Sequence, residues 1–340
     1  YADYYYIEAL MRWKKIRAGQ SLSEANKFMH PGILHTKESL ERMKYYIDHR
    51  IEPAYSSYRL LEADSCALST YQMQGPFEVI ARLGVNKHTK RPSEDDHKAA
   101  YLNALMWTLT GDEAHARKSI EILNAYSAML KLIGPNDNDD PLCASLQGSM
   151  LANAAELIKH TYSKVTPAEI AGWEKMLRTV FIPVLDTFFK AKPYTNGNWG
   201  AAATKAYMAF GIFLEDEALY NQAVHFYYNG HDNGTIKNYI GENGQCQESG
   251  RDQDHVMFGL GNLAEACETA YNQGDEKMYA AFDNRLLTGY EYTAKYNLGE
   301  AVPFTTWTDI SGRYCNWQTI SDKLRGVFRP IYEIVYNHYV

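Results

Sequence analysis

The sequence has no cysteine motif. Its five cysteines, Cys66, Cys143, Cys246, Cys267 and Cys315, are scattered. They form no CxxC and none of the spacings that hold zinc, and an odd number leaves at least one outside any intrachain disulfide. Charge of one sign is lacking too. With 34 Lys and Arg against 41 Asp and Glu, the formal net charge is -7. That excludes a general basic surface for nucleic acid but leaves room for a local positive groove facing an anionic polymer. No uninterrupted apolar run reaches transmembrane length. The opening YADYYYIEALMRW lacks the form of a signal peptide, and a mature exported chain and a cytosolic chain would read alike there. Also missing are GxGxxG after a strand, GxxxxGK(S/T), HExxH and GxSxG. GENG at Gly241 is too short for an EF-hand loop, no ligand set is specified by spacing, and neither a catalytic metal nor another cofactor is expected.

What the chain does have is helix signal and aromatics. Its 340 residues include 27 Tyr, 12 Phe and 6 Trp, enough for a large core and for ring platforms that stack on sugars. Apolar residues recur at three- and four-residue steps in ESLERMKYYIDHRIEPAYSSYRLLEA, with a break near Pro53, and in HKAAYLNALMWTLTG and DEAHARKSIEILNAYSAMLK. LQGSMLANAAELIKHTYS and TPAEIAGWEKMLRTVFIPVLDTFFKA continue the period. TPAE, Thr166 to Glu169, supplies a capping box with proline at the first helical position. The second half repeats the pattern from AAATKAYMAFGIFL to SDKLRGVFRPIYEIVYNHYV. Some ten to fourteen helices joined by alternating short and longer loops predict an all-α chain: helical hairpins in a solenoid or α/α barrel. No linker stands out, so one domain over residues 1–340 is expected. A non-enzymatic helical scaffold fits this coarse pattern equally, although no repeat motif names one.

Polar residues collect at a few junctions. ESGRDQDH, Glu248 to His255, contains no apolar side chain and precedes a helix. Ser249 and Asp252 fit a capping box with Arg251 in the first turn, and Arg251 and His255, four apart, share a face. Glu248 sits at the loop edge and could orient either partner. A capped surface helix is the plain alternative. YTNGNWG brings Asn196, Asn198 and Trp199 between flexible glycines, either as hydrogen-bonding and stacking groups or as an ordinary turn with a packing anchor. Arg285, Tyr292 and Tyr296 add a cation and possible proton donors. Arg313, Tyr314, Arg325, Arg329, Tyr336 and His338 follow near the end. KHTKR, Lys87 to Arg91, is a basic loop that suits a polyanion or simply solvent.

Taken together, HPGILHTKESLERMKYYI, ALMWTLTGDEAHARKSIEILNAYS, NGNWG, ENGQCQESGRDQDH and EYTAKYNLG resemble the bacterial alginate-lyase superfamily of α/α-barrel polysaccharide lyases. The resemblance spans most of the chain and leans toward the multifunctional alginate-lyase branch. It implies an incomplete (α/α) toroid of six or seven helical hairpins. It also implies β-elimination of an anionic polysaccharide, alginate or the related glucuronan, at the 4-O bond, leaving a 4,5-unsaturated uronate. By local pattern, Asn198 and Arg251 become the pair that neutralises the uronate carboxylate. His255 becomes the base and Tyr292 the acid, with Tyr296 in reserve. Trp199, Glu248, Gln253, Arg285, Tyr296, Trp307 and His338 are the expected substrate-binding groups. Two departures stand out: Trp199 follows Asn198 where the family carries histidine, and VMF replaces the tyrosine two turns beyond the arginine. A monomer in the periplasm or outside the cell is expected. A uronyl oligosaccharide hydrolase, using paired carboxylates, and a non-catalytic polysaccharide-binding protein are the alternatives.

Overall fold

The computed structural model describes residues 28–134, 139–190, 195–314 and 316–340. The opening YADYYYIEALMRW and Cys315 lie outside the described residues, and the other four cysteines are buried. The described chain is mostly helix: α1 Lys37–Asp48, α2 Ala54–Ala63, α3 Lys90–Thr110, α4 Glu113–Met129, α5 Asp140–Thr161, α6 Pro167–Met176, α7 Ile182–Lys190, α8 Gly197–Phe213, α9 Glu217–Asn229, α10 Ile236–Tyr239, α11 Gln253–Asn272, α12 Ala281–Asn297 and α13 Tyr332–Tyr339. The described strands, Val79–Ile80 and Leu132–Ile133, form one short parallel pair.

The long helices sort into two layers. α3, α5, α8 and α11 pack in succession as an inner row, and α4, α9 and α12 lie against α3, α8 and α11 as return helices. The reason is compositional. α5 and α8 are apolar or small nearly all round, with Ala152, Ala154, Ala155, Leu157 and Ile158 buried on one and Ala201, Ala203, Ala206, Phe210 and Phe213 on the other. A helix without a polar stripe must be covered on every side. The outer α4 instead keeps a charged face and buries Ala116, Ile122, Leu123 and Tyr126.

Local signals decide most boundaries. The first periodic run divides into α1 and α2 at Pro53. Thr166 and Glu169 form the predicted capping box, with Pro167 in the first turn. Elsewhere the chain differs from expectation. The resemblance implies six or seven hairpins; the described residues make four long ones and the short α1–α2 pair, and the described part of 298–331 carries no helix. Its last part, SDKLRGVFRP, carries helical periodicity but crosses the start of α11 as a strap. Ser321 N–H donates to Ser249 O, and Gln253 N–H donates to Lys323 O. Gly326 N–H donates to Asn297 Oδ1. Gly326 and Pro330 weaken the helical alternative, and these contacts outcompete it.

The start of α8 rests on a crossing of two glycine-bearing segments. A Cβ on Gly234 would come within 2.3 Å of the Gly197 carbonyl oxygen, and one on Gly200 within 2.1 Å of Asp232 Oδ1. Asp232 Oδ1 accepts the Gly234 N–H. Burial pushes the Asp232 carboxyl up to about 7.

Two outcomes follow from this crossing. Gly234→Ala should destabilise the protein by about 1–3 kcal/mol, the usual size of an overpacking penalty, and a urea midpoint equal to that of the parent would contradict the contact. A carboxyl raised in the folded state binds extra protons between its unfolded and folded pKa values. Its contribution is therefore complete below the ordinary value of 3.8 and is lost as pH rises through about 7. Asp232→Asn should accordingly show a shallower loss of stability than the parent as pH rises through that window, read from melting curves. Identical slopes would refute it.

Candidate active site

Helices α3, α5, α8 and α11 surround a cavity of about 1210 Å³. Its wall includes Lys90, Arg91, Lys98 and Tyr101 from α3, Ser149 and Asn153 from α5, Asn198, Trp199 and Lys205 from α8, and His255, Phe258 and Glu265 from α11, with Arg251 at the entry to α11. The wall cations are mostly held by acids: Lys205 Nζ by Glu265 at 2.7 Å, Arg82 by Glu94 at 2.8 Å and Arg329 by Asp254 at 2.6 Å. Such pairing leaves directed N–H groups and little bare charge.

One buried carboxylate organises the end of this cavity that bears Asn198 and Arg251. Glu248 is 0% exposed. It accepts the Asn198 backbone N–H at 3.2 Å and the Asn198 Nδ2 amide at 2.9 Å to both oxygens. It also accepts Arg251 Nη1 at 2.8 Å and the Tyr239 hydroxyl at 3.3 Å. Gln247 Oε1, beside it, accepts the Gly197 N–H. The loop carrying QE thus caps the first turn of α8, whose own Asn196 side chain caps nothing. Burial pushes the Glu248 carboxyl up, against the donors that pull it down. Asn198 Oδ1 is buried and has no hydrogen-bond partner among the described residues.

The helix start differs from the predicted Ser249 cap. Ser249 Oγ accepts the Cys246 N–H, and Asp252 is the cap, accepting the His255 backbone N–H at 2.8 Å. Arg251 therefore lies before α11 and not on its first turn. It still reaches the cavity together with His255, through the loop and not through helical spacing. Asp252 also grips the histidine ring, since both its oxygens lie 2.8 Å from His255 Nδ1. This fixes the imidazole, and the backbone and ring donors of His255 help hold the Asp252 carboxyl below its ordinary value despite burial.

Asn198, Trp199, Arg251 and His255 thus share one cavity. The other expected site residues do not line it. Tyr292 is buried and its hydroxyl donates to the Pro303 carbonyl at 2.7 Å, so it ties down the chain after α12. Tyr296 lies under the Arg325 guanidinium, 4.0 Å from the ring centroid. Arg285 donates to the Ile240 carbonyl. Gln253 donates to Ser321 O and accepts from Asn297, which places it in the strap joint. Trp307 packs against Gly241, and His338 stacks on Tyr279 with centroids 3.6 Å apart. Glu248 is a positioning group with no exposed oxygen to offer a sugar.

Other wall residues carried too weak a signal in the sequence. KHTKR is helical throughout, a 3-10 helix Lys87–Thr89 leading into α3, and its Lys90 and Arg91 reach the cavity. Lys90, Glu94, Lys98 and Tyr101 recur at three- and four-residue steps, a pattern that a solvated helix face would share. Tyr101 hydroxyl lies 2.6 Å from His35 Nε2, and desolvation pushes His35 down to about 4. Nothing local joins residues 66 positions apart. Desolvation raises the Tyr314 pKa, while the positive charges of Arg313 and Arg251 lower it. Its ring stacks on Trp317, centroids 6.2 Å apart, and Trp317 packs against Gly250.

Comparison with known proteins agrees with this geometry. Alginate lyase A1-III from Sphingomonas species A1 superposes with a TM-score of 0.59 at 12% identity over 76% of each chain. An alginate lyase from Bacteroides ovatus gives 0.60 at 15% identity, covering 86% of this chain and 88% of its own. A variant of A1-III complexed with a tetrasaccharide gives 0.63 at 12% identity over 84% of this chain and 85% of its own. At these identities the likeness establishes the fold. A search of curated protein sequences finds no match. The alginate lyase family model matches residues 74–304, which include the inner helices, the Glu248 loop and most of the cavity wall, and the chain belongs to the alginate lyase family.

Proposed function

We propose that this protein cleaves an anionic uronate polymer, alginate or the related glucuronan, by β-elimination at the 4-O glycosidic bond. The observation that carries this reading is the joint anchoring of Asn198 and Arg251 by one buried carboxylate, beside an imidazole fixed by Asp252.

Elimination requires removal of the C5 proton beside an ionised carboxylate, so negative charge builds on that carboxylate in the transition state. A preorganised cation and amide donor there lower the barrier selectively. Arg251 supplies the cation. In the free protein Asn198 turns its Nδ2 toward Glu248 and its unpartnered Oδ1 away from it. A proton on Glu248, favoured by burial, lets the amide turn over: Oδ1 then accepts from Glu248 and Nδ2 faces the uronate. Asp252 takes the Nδ1 proton of His255 as a hydrogen bond, which leaves Nε2 as the base. Nε2 receives the C5 proton, the C5–H electron pair becomes the C4–C5 double bond, and the C4–O4 pair leaves on oxygen. The departing O4 takes up a proton to complete the step; the Tyr292 hydroxyl is committed to the Pro303 carbonyl. A single catalytic domain, monomeric action and a periplasmic or secreted location belong to the same proposal, a polymeric substrate being met outside the cytoplasm.

Hydrolysis fits less well. Glu248 and Asp252 are buried and engaged, and Asp254 is held by Arg329, which leaves no free pair among these three to act across a scissile bond.

Incubation with polymannuronate, polyguluronate and glucuronan should yield products that absorb as conjugated unsaturated uronates and whose masses lack an added water. Saturated products one water heavier would indicate hydrolysis, and an unchanged polymer would indicate binding alone. His255→Ala should lower turnover by about 10²–10⁴-fold, the range for a lost general base, with an unchanged melting temperature; full activity would remove the base assignment. Glu248→Gln can still donate to Asn198 Oδ1 and accept from Arg251, so it should keep activity within roughly tenfold, while Glu248→Ala should lose about 10²-fold through misplacement. Equal activity in the alanine variant and the parent would remove Glu248 from the clamp.

A further inference from the structure

Behind the cavity wall, one helical turn from Asn153, sits a second group of polar side chains that the proposed elimination does not use. Glu156 and His160 project from the C-terminal part of α5, and His30 comes from the segment ahead of α1. One ligand atom from each of these three lies within 4.8 Å of the others. His30 Nδ1 is 2.7 Å from Glu156 Oε1, and His160 Nε2 is 3.6 Å from Glu156 Oε2. The Glu156 side chain is 2% exposed, and its Oε2 has no hydrogen-bond partner among the described residues. His30 Nε2 lies 2.6 Å from Glu215 Oε1, at the turn between α8 and α9.

We propose that His30, Glu156 and His160 form a binding site for a zinc-type divalent metal ion. Three observations carry it. The donors are two imidazoles and a carboxylate, a set that suits zinc and its late first-row neighbours over magnesium or calcium. The separations bracket the value of about 3.3 Å that bonds of roughly 2.0–2.1 Å impose between ligands of a tetrahedral ion. Glu156 Oε2 is a buried acceptor with nothing to accept, directed at His160. Glu215 completes the pattern from outside the ligand set: with the metal on Nδ1, His30 keeps its Nε2 proton and donates it to Glu215, which fixes the ring and raises its basicity.

Metal entry requires two changes. The Nδ1 proton of His30 leaves to solvent, so binding tightens as pH rises. The rings of His30 and His160, now stacked at 4.2 Å and 7°, cannot both hold one ion in their planes, so one ring must turn. His160 is the ring free to do so, being on the last turn of α5 and only partly covered. The fourth position opens on a smaller pocket lined by Lys37, Trp107 and Gly111. It is available to water.

The ion would staple the segment around His30 to α5. That segment is already held by Gly32 N–H on Glu156 Oε1 and Leu34 N–H on Asn153 Oδ1. It carries His35 into the cavity wall, where it meets Tyr101. Metal occupancy therefore acts on the order of the cavity wall, from outside the cavity.

The test uses the full chain, stripped with a chelator and titrated with zinc by calorimetry, with metal content checked by elemental analysis and melting temperature recorded in parallel. One zinc per chain and a raised melting temperature are expected, with no response to magnesium or calcium. Cobalt loading should give visible bands of tetrahedral intensity. His160→Ala should melt like the metal-free parent and lose the zinc-induced shift, and Glu215→Gln should weaken binding by about 10-fold, as loss of such a supporting carboxylate usually does. Absence of stoichiometric zinc at alkaline pH would overturn the site. So would zinc binding that survives His160→Ala, since it would then belong to other residues.

Discussion

The buried carboxylate of Glu248 is the constraint on which the site depends. Removing an ion from water costs several kcal/mol, and breaking one partner of a buried pair typically costs about 3–5 kcal/mol. Glu248 therefore has to be surrounded by donors, and those donors are the first turn of α8, the Asn198 amide, Tyr239 and Arg251. Separate pieces of chain are drawn to one point, and Asn198 and Arg251, which line the cavity, are among them. The same burial pushes the Glu248 carboxyl up, against the donors that pull it down.

The surrounding architecture serves this point. α8 starts where it does because Gln247 and Glu248 take its first N–H groups and because glycines at 197, 200 and 234 allow two segments to touch. α11 starts where Asp252 caps it, and the same side chain grips His255. The strap of residues 321–331 then closes over that start, with Arg329 forked onto Asp254 at 2.6 and 2.7 Å. Each element end is held by a contact from a distant part of the chain, so the positions of Arg251 and His255 are cooperative properties of the fold.

Several of these parts were legible in the sequence. The helices show in periodicity, Pro53 and TPAE mark two boundaries, and ESGRDQDH together with NGNWG marks the cavity end. Asn198, Trp199, Arg251 and His255 do meet there. Tyr292, Arg285, Gln253 and His338 misled for a common reason: a polar side chain near a helix end satisfies a backbone carbonyl or a ring as readily as a substrate, and residue type does not distinguish the two. Tyr101 and Lys205 escape the sequence reading for the converse reason, since their significance lies in neighbours many residues away.

By itself the sequence determined the all-α class, the positions of most helices and a family resemblance that the alginate lyase family match over residues 74–304 bears out. Those properties are set by contacts within a few residues, by caps, and by a hydrophobic pattern of fixed period. Only the tertiary structure decided that Asp252 and not Ser249 begins α11, that Glu248 anchors the clamp and touches no solvent, and that Tyr292 serves the chain behind α12. Hydrogen-bond geometry and desolvation depend on where distant segments come to rest, and no local window of sequence carries that information.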